Sequence, residues 1–404
     1  MSGRGADVVV VGGGPAGCAT ALLLAERGHA VLVLDRARFP RPKLCGEYLS
    51  PEVSRILDRL GVLKAVDEAG AVPLRGMRIA APDGTVLLAD YPTAGPWRGY
   101  RDHALALPRL TFDQILLDRV RACPVVEVRE RHRVTDLLMD GDRVVGVVGM
   151  EAEGRAFEAR APLVIAADGR NSVAARRLGL LRPHRLRRLA LLVYVEGVEG
   201  FDARGEIYVD PPDYAILNPV APGQVNLSLV VPLADAAPYR GRLDAFFFAR
   251  LKQLDRLRPR LEAMRPLGSM SALGPLAYRV ARPRCGGLLL VGDAAGFYDP
   301  FTGEGIFSAL RSAELAAEVA HAALRAGDPS AAALAPFWEA RRAAFKEKEW
   351  LTRLLQVVIS RRWLANRVAH WLVRRPDLLG LLMGVIGDFV PPRALVSPRV
   401  LFGR

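Results

Sequence analysis

Apolar and polar positions alternate in distinct ways along the chain, and each pattern predicts an element. Residues 7–11 open with an acid followed by four valines, a short strand buried on both faces. Residues 12–17 form a glycine turn. An Ala/Leu-rich helix is predicted over 18–27, stopped by Gly28, and a second strand over 30–34. The middle is mixed, with Val-rich strands predicted at 143–148 and 225–231. Two further strands, 163–167 and 287–291, each run into a Gly/Asp corner. Helical periodicity covers 303–324 and returns from Pro336 onward, where Trp338, Trp350, Trp363 and Trp371 fall. No internal repeat and no low-complexity linker interrupts this order. The strand-turn units are scattered from 7 to 320, which predicts a discontinuous domain.

Composition narrows the class. The chain has 404 residues, 51% apolar and 25% charged, an ordinary globular balance. Four cysteines (Cys18, Cys45, Cys123, Cys285) make no disulfide framework and no CxxC metal spacing. The net charge is +13, and only five of the cations are lysine. No Lys/Arg block is interleaved with aromatics, so nucleic acid is not an expected partner. No signal peptide is read at the start, and no window reaches the roughly 18 to 20 apolar residues of a spanning helix. A cytoplasmic protein is expected. The last 70 residues carry two readings. One is a helical cap on the core with an Arg-rich outer face; the other is an amphipathic face on anionic membrane, with Trp363, Val368 and Trp371 among arginines.

The chemistry begins at Gly12-x-Gly14-x-x-Gly17. With a strand before it and a helix after it, this spacing suits a dinucleotide pyrophosphate at the start of a helix, around Gly14, Pro15 and Ala16. Asp35, at the end of the second strand, is placed for ribose hydroxyls; Arg36 beside it suits a 2′-phosphate as well. The motif alone leaves NAD and FAD both open.

Later segments resemble the para-hydroxybenzoate hydroxylase-like flavoproteins. These are Arg109-x-x-Phe112-Asp113, the run Ala166-Ala167-Asp168-Gly169-Arg170, and Gly292-Asp293-Ala294 with Pro300-Phe301-Thr302-Gly303-Glu304-Gly305. The resemblance implies a bound FAD and NAD(P)H as a transient co-substrate. It also implies that Arg109, Asp168, Gly169, Gly292, Asp293, Pro300, Gly303 and Gly305 hold the cofactor. The expected fold is α/β (α+β overall): a Rossmann-type FAD-binding domain (1–74, 106–181, 276–330), an interrupting substrate-binding sheet domain (75–105, 182–275), and a C-terminal helical segment (331–404). Within the superfamily the chain is similar to the geranylgeranyl reductase and halogenase branch through Lys43-Leu44-Cys45-Gly46-Glu47.

Cys45, Glu47 and Tyr214 are the candidate catalytic residues. The prenyl reductases' Tyr-x-Trp-x-Phe-Pro motif reads here Tyr214-Ala215-Ile216-Leu217-Asn218-Pro219, without the Trp and Phe. That departure leads to the expectation of an FAD-dependent monooxygenase, hydroxylating or epoxidising a lipophilic aromatic or polyketide-type product with NAD(P)H and O2, as a monomer or homodimer. Two other readings stand beside it: a C=C reductase of a prenyl chain, and a flavin-binding maturation or scaffold partner of another protein.

Overall fold

The computed structural model describes residues 5–397; the outermost residues of the expected first and last segments, 1–4 and 398–404, lie outside them. In chain order, the strands that position the site are β1 (Val8–Val11), β2 (Val31–Leu34), β3 (Gly76–Ala80), β4 (Val86–Asp90), β5 (Val126–Arg129) and β6 (Leu163–Ala166). They continue with β7 (Arg188–Glu196), β8 (Arg204–Asp210), β9 (Asp213–Ala221), β10 (Gln224–Pro232) and β11 (Leu288–Leu290). The helices that matter are α1 (Pro15–Ala25), α2 (Arg109–Arg121), α3 (Gly305–Arg325), α4 (Ala335–Ile359), α5 (Arg362–Val373) and α6 (Pro376–Ile386).

The fold is a mixed α/β architecture with a Rossmann-type unit. Its parallel sheet runs β11–β6–β1–β2–β5, with Val10 beside both Ile165 and Val33. Every residue of β1, β2, β6 and β11 is buried, which is why these strands read as unbroken apolar runs without alternation. Helix α1 begins at Pro15, three residues earlier than predicted, because proline's fixed φ suits the first helical position. Helix α3 begins at Gly305, not Gly303: Pro300–Thr302 is a 3-10 turn and Gly303 takes a left-handed φ of 69°.

The second sheet is larger and mostly antiparallel. Its long strands run β7–β10–β9–β8–β3–β4, and only the β8/β3 pair is parallel. The predicted strand near 143–148 belongs to neither sheet; Arg143–Met150 is the middle of a separate three-stranded antiparallel sheet. Helices α5 and α6 pack against β4. The apolar run of α6, including Leu378, Leu382, Met383 and Ile386, shares a core with Met77, Leu87 and Ala89 of the sheet. The greasiest stretch of the C-terminal segment is thus spent on the protein's own interior. Among the described residues no helix is long and apolar enough to cross a membrane.

Candidate active site

One cavity of about 1050 Å³ runs from the carboxyl ends of β1, β2 and β6 to the inner face of the larger sheet. Its first stretch is backbone. Gly12 has φ 107°, and a Cβ there would stand 2.5 Å from the Ala167 carbonyl oxygen, so only glycine lets β1 turn this close to β6. Asp35 braces the turn: one carboxylate oxygen accepts the Gly13 N–H at 2.7 Å and the other the Ala37 N–H at 2.8 Å. Gly12, Gly14, Pro15, Ala16, Asp35 and Arg36 all line the cavity. Gly17 does not; it is the contact through which α1 seats on the turn.

The late motifs converge on the same space. Asp168, Gly169, Gly292, Asp293, Pro300, Gly303 and Gly305 line it, although up to 137 residues separate them. Asp168 Oδ2 accepts the Val173 N–H at 2.7 Å, while its Oδ1 is buried without a partner. Burial pushes the Asp293 carboxyl above the usual range, against the pull of Lys43 and Arg109. Burial likewise lowers the Lys43 ammonium, with Asp293 opposing. Arg109 reaches the wall from α2, where Asp113 takes two of its N–H groups at 2.6 and 2.8 Å.

Cys45 and Glu47 also line the cavity, on a turn that the larger sheet holds down. Asn226 Nδ2 donates to the Cys45 carbonyl at 2.8 Å, and Asn218 Nδ2 to the Gly46 carbonyl at 2.7 Å. Glu47 sits at φ 58°, a conformation that costs a non-glycine residue about 1–3 kcal/mol. Its carboxylate offsets that cost by accepting the Arg109 N–H at 2.8 Å, Asn226 Nδ2 at 3.1 Å and the Tyr194 hydroxyl. The Glu47 N–H in turn points at the Cys45 sulfur, 3.3 Å away. Burial raises the Cys45 thiol, and Arg109 pulls it back in part.

Tyr214 is the exception among the predicted site residues other than Gly17. It is buried, its hydroxyl donates to Asp299 Oδ1 at 2.8 Å, and the Phe301 ring lies edge-on 5.2 Å away. Phe301 lines the cavity and Tyr214 stands behind it, so the catalytic role expected of Tyr214 is withdrawn. Four residues join the site without a role expected from the sequence: Lys43 and Asn218, which fall inside the quoted motifs, and Tyr194 and Asn226. The two asparagines carried a signal. Asn218 is the one amide of its strand, Asn226 the one buried amide of its own beside the exposed Gln224, and a buried amide needs a partner. They are cross-strand neighbours on β9 and β10. Past them the wall is apolar, with Met77, Ile207, Ile216, Val230, Leu273 and Leu276.

A family model described as an FAD binding domain matches residues 5–347. The digeranylgeranylglycerophospholipid reductase of Methanosarcina mazei is 29% identical over 344 residues, spanning 82% of this chain and 79% of the relative. One from Methanopyrus kandleri is 33% identical over 353 residues, spanning 82% and 86%. Among solved structures, a flavin-dependent brominase superposes with a TM-score of 0.83 at 20% identity, covering 99% of this chain and 100% of that one. A geranylgeranyl bacteriochlorophyll reductase-like protein from Thermoplasma acidophilum superposes at 0.77 with 23% identity, covering 99% and 98%. At those identities the two structures speak to fold alone. The curated relatives overturn the expected monooxygenase: proteins that match over four-fifths of the chain are named reductases.

Proposed function

Because the chain belongs to the FAD binding domain family and is an FAD-dependent oxidoreductase, we propose that it reduces carbon–carbon double bonds in the prenyl chains of a lipid. The observation that carries this reading is Cys45: a half-buried thiol, which desolvation favours in its protonated form, on the wall of a cavity whose substrate side is apolar. The names of the relatives support the substrate class.

The residues fit the cofactor. The Gly12–Gly17 turn leaves room for a pyrophosphate at the start of α1, where free N–H groups favour negative charge. The orphaned Asp168 Oδ1 is an acceptor that a ligand O–H would satisfy. Asp35, Asp293 and the Pro300–Gly305 loop complete the cradle, with Lys43 and Arg109 as its cations. When bound, FAD supplies the hydride for one alkene carbon, replenished by NAD(P)H.

The chain's own part is to orient the alkene, exclude water and deliver a proton to the other carbon. Apolar side chains from β3, β8, β9 and β10 hold the prenyl chain and keep the site dry. Cys45 Sγ–H is the donor. Arg109 lowers the cost of the thiolate left behind, and the Glu47 turn holds the sulfur in place. In an anaerobic assay with NAD(P)H and a geranylgeranylated lipid, each reduced double bond adds two mass units. Product that forms only with oxygen, or carries an oxygen atom, would refute the reading.

A lipid with such chains resides in a bilayer, and the C-terminal helices suit one. Residues 350–374 contain five arginines and no acid. Trp350, Leu354, Val357, Trp363 and Trp371 are exposed there, with Trp363 at 62%. Arg353 and Arg362 have carboxylate partners on the protein, leaving Arg361, Arg367 and Arg374 for lipid phosphates. Converting those three to Gln is expected to weaken binding to anionic vesicles on the order of 100-fold, at about 1 kcal/mol per cation. Neutral vesicles should bind both proteins alike, as cosedimentation will report.

A further inference from the structure

Helix α4 carries three buried polar side chains at four-residue steps: Lys348, Thr352 and Gln356. A helix that only packed on a core would place apolar residues there, as α4 does at Phe345, Leu351 and Ile359. Buried polar groups are costly unless satisfied. Here all three find partners near one place, the loop Asp299–Glu304 that leads into α3, although Gln356 Oε1 is left without one. Gln356 Nε2 donates to Asp299 Oδ1 at 2.7 Å, an oxygen that also accepts the Phe301 N–H at 2.9 Å. Thr352 Oγ1 lies 3.1 Å from Glu304 Oε1, and the Thr302 hydroxyl bonds the same oxygen. Lys348 Nζ stands 4.0 Å from it and is ion-paired with Asp388, just past α6. Both ends of the loop are therefore tied to α4. The opposite side of the loop, at Pro300, Phe301, Thr302 and Gly303, is cavity wall.

We propose that α4 is a strut: Gln356, Thr352 and Lys348 are positioning residues that hold the Pro300–Gly303 backbone in the place from which it receives the flavin. This rests on the reading above that the loop faces FAD. The segment spans one 3-10 turn, closed by the Gly303 N–H to the Pro300 carbonyl at 3.0 Å, and is too short to order itself. A wall held rigid beforehand spares the ligand the cost of ordering it. None of the three residues lines the cavity, so their effect reaches the cofactor only through the loop.

The test uses the full chain with Gln356→Leu and Thr352→Val combined, both close in volume to the native side chains. Two readings are taken: deuterium exchange of peptides from the FAD-free protein, and FAD affinity by flavin fluorescence. Exchange over 297–305 is expected to rise about tenfold while peptides from β1 and β6 stay unchanged. FAD affinity is expected to fall about 5- to 10-fold, the loss of roughly one net hydrogen bond. Thr352→Ser, which keeps the hydroxyl, should behave like the native protein. If the double variant does not fold, Gln356→Met alone is read in the same way. Unchanged exchange in the loop, exchange raised everywhere, or a looser loop with unchanged affinity would each overturn the strut. Gly14→Val separates this from the cofactor placement. If that substitution removes FAD and the strut variants do not, only the strut fails; if it leaves FAD bound, the placement itself is wrong.

Discussion

Gly14→Val is expected to give a folded protein that purifies without colour. A Cβ added at Gly14 meets only Arg41 Nη2, at 3.5 Å, an ordinary contact. Its φ of −80° suits any residue. The chain itself thus has no quarrel with a side chain there. The position is, however, the N-cap of α1 and part of the cavity wall, where the proposed function puts the cofactor's pyrophosphate. A valine takes that room. We expect FAD affinity to fall by at least about 100-fold, near 3 kcal/mol. The melting of the FAD-free protein should shift by less than about 1 kcal/mol in stability, as for a surface change. Gly17→Ala is the opposite case. Its Cβ would lie 1.8 Å from the Gly12 carbonyl oxygen, so the fold itself should suffer and cofactor loss would be secondary. Flavin absorbance per mole of protein, read beside a melting curve, separates the two. A yellow Gly14→Val protein would mean that the cofactor lies elsewhere.

Cys45→Ala should remove prenyl reduction while leaving the first half-reaction intact. A positioned acid contributes typically 10²- to 10⁴-fold, so turnover is expected to drop by about that factor. Flavin reduction by NAD(P)H should continue at its native rate, because Cys45 takes no part in it. The pH profile follows from the thiol's environment. Burial raises its pKa, so the donor stays protonated at pH values where an ordinary thiol, near 8.5, has half ionised. The active form is the protonated one. The turnover plateau should therefore extend past pH 8.5 before falling, and the fall should be absent from the residual activity of Cys45→Ala. Equal turnover by the native and alanine proteins would assign the proton to another group. Single-turnover measurements with pre-reduced protein give both rates directly.

How much of this was legible in the sequence depends on range. The glycine turn, Asp35 and the Gly/Asp corners after β6 and β11 are short-range features. Proline and glycine sterics and strand ends act over a few residues, and the structure brings them to one cavity. Tyr214 shows where local reasoning stops. Alternation puts it on the same strand face as Ile216 and Asn218, which do line the cavity. Only the arrival of Phe301, 87 residues later in the chain, covers it. The missing Trp and Phe of the prenyl reductase motif misled in a similar way. They describe part of a wall, whereas the proposed proton chemistry belongs to Cys45 on a different segment.

From its own residues the chain determined the parallel-sheet unit, the glycine turn and the strand-end groups that line one cavity, because close-range sterics and unbroken burial leave few alternatives. Tertiary packing alone decided which side chains face the cavity, that Asn218 and Asn226 pin the Cys45 turn, and that the stripe on α4 reaches Asp299 and Glu304. Those contacts join segments up to 181 residues apart. Their geometry comes from how two sheets and a helical cap dock, and nothing in the local sequence encodes that docking one segment at a time.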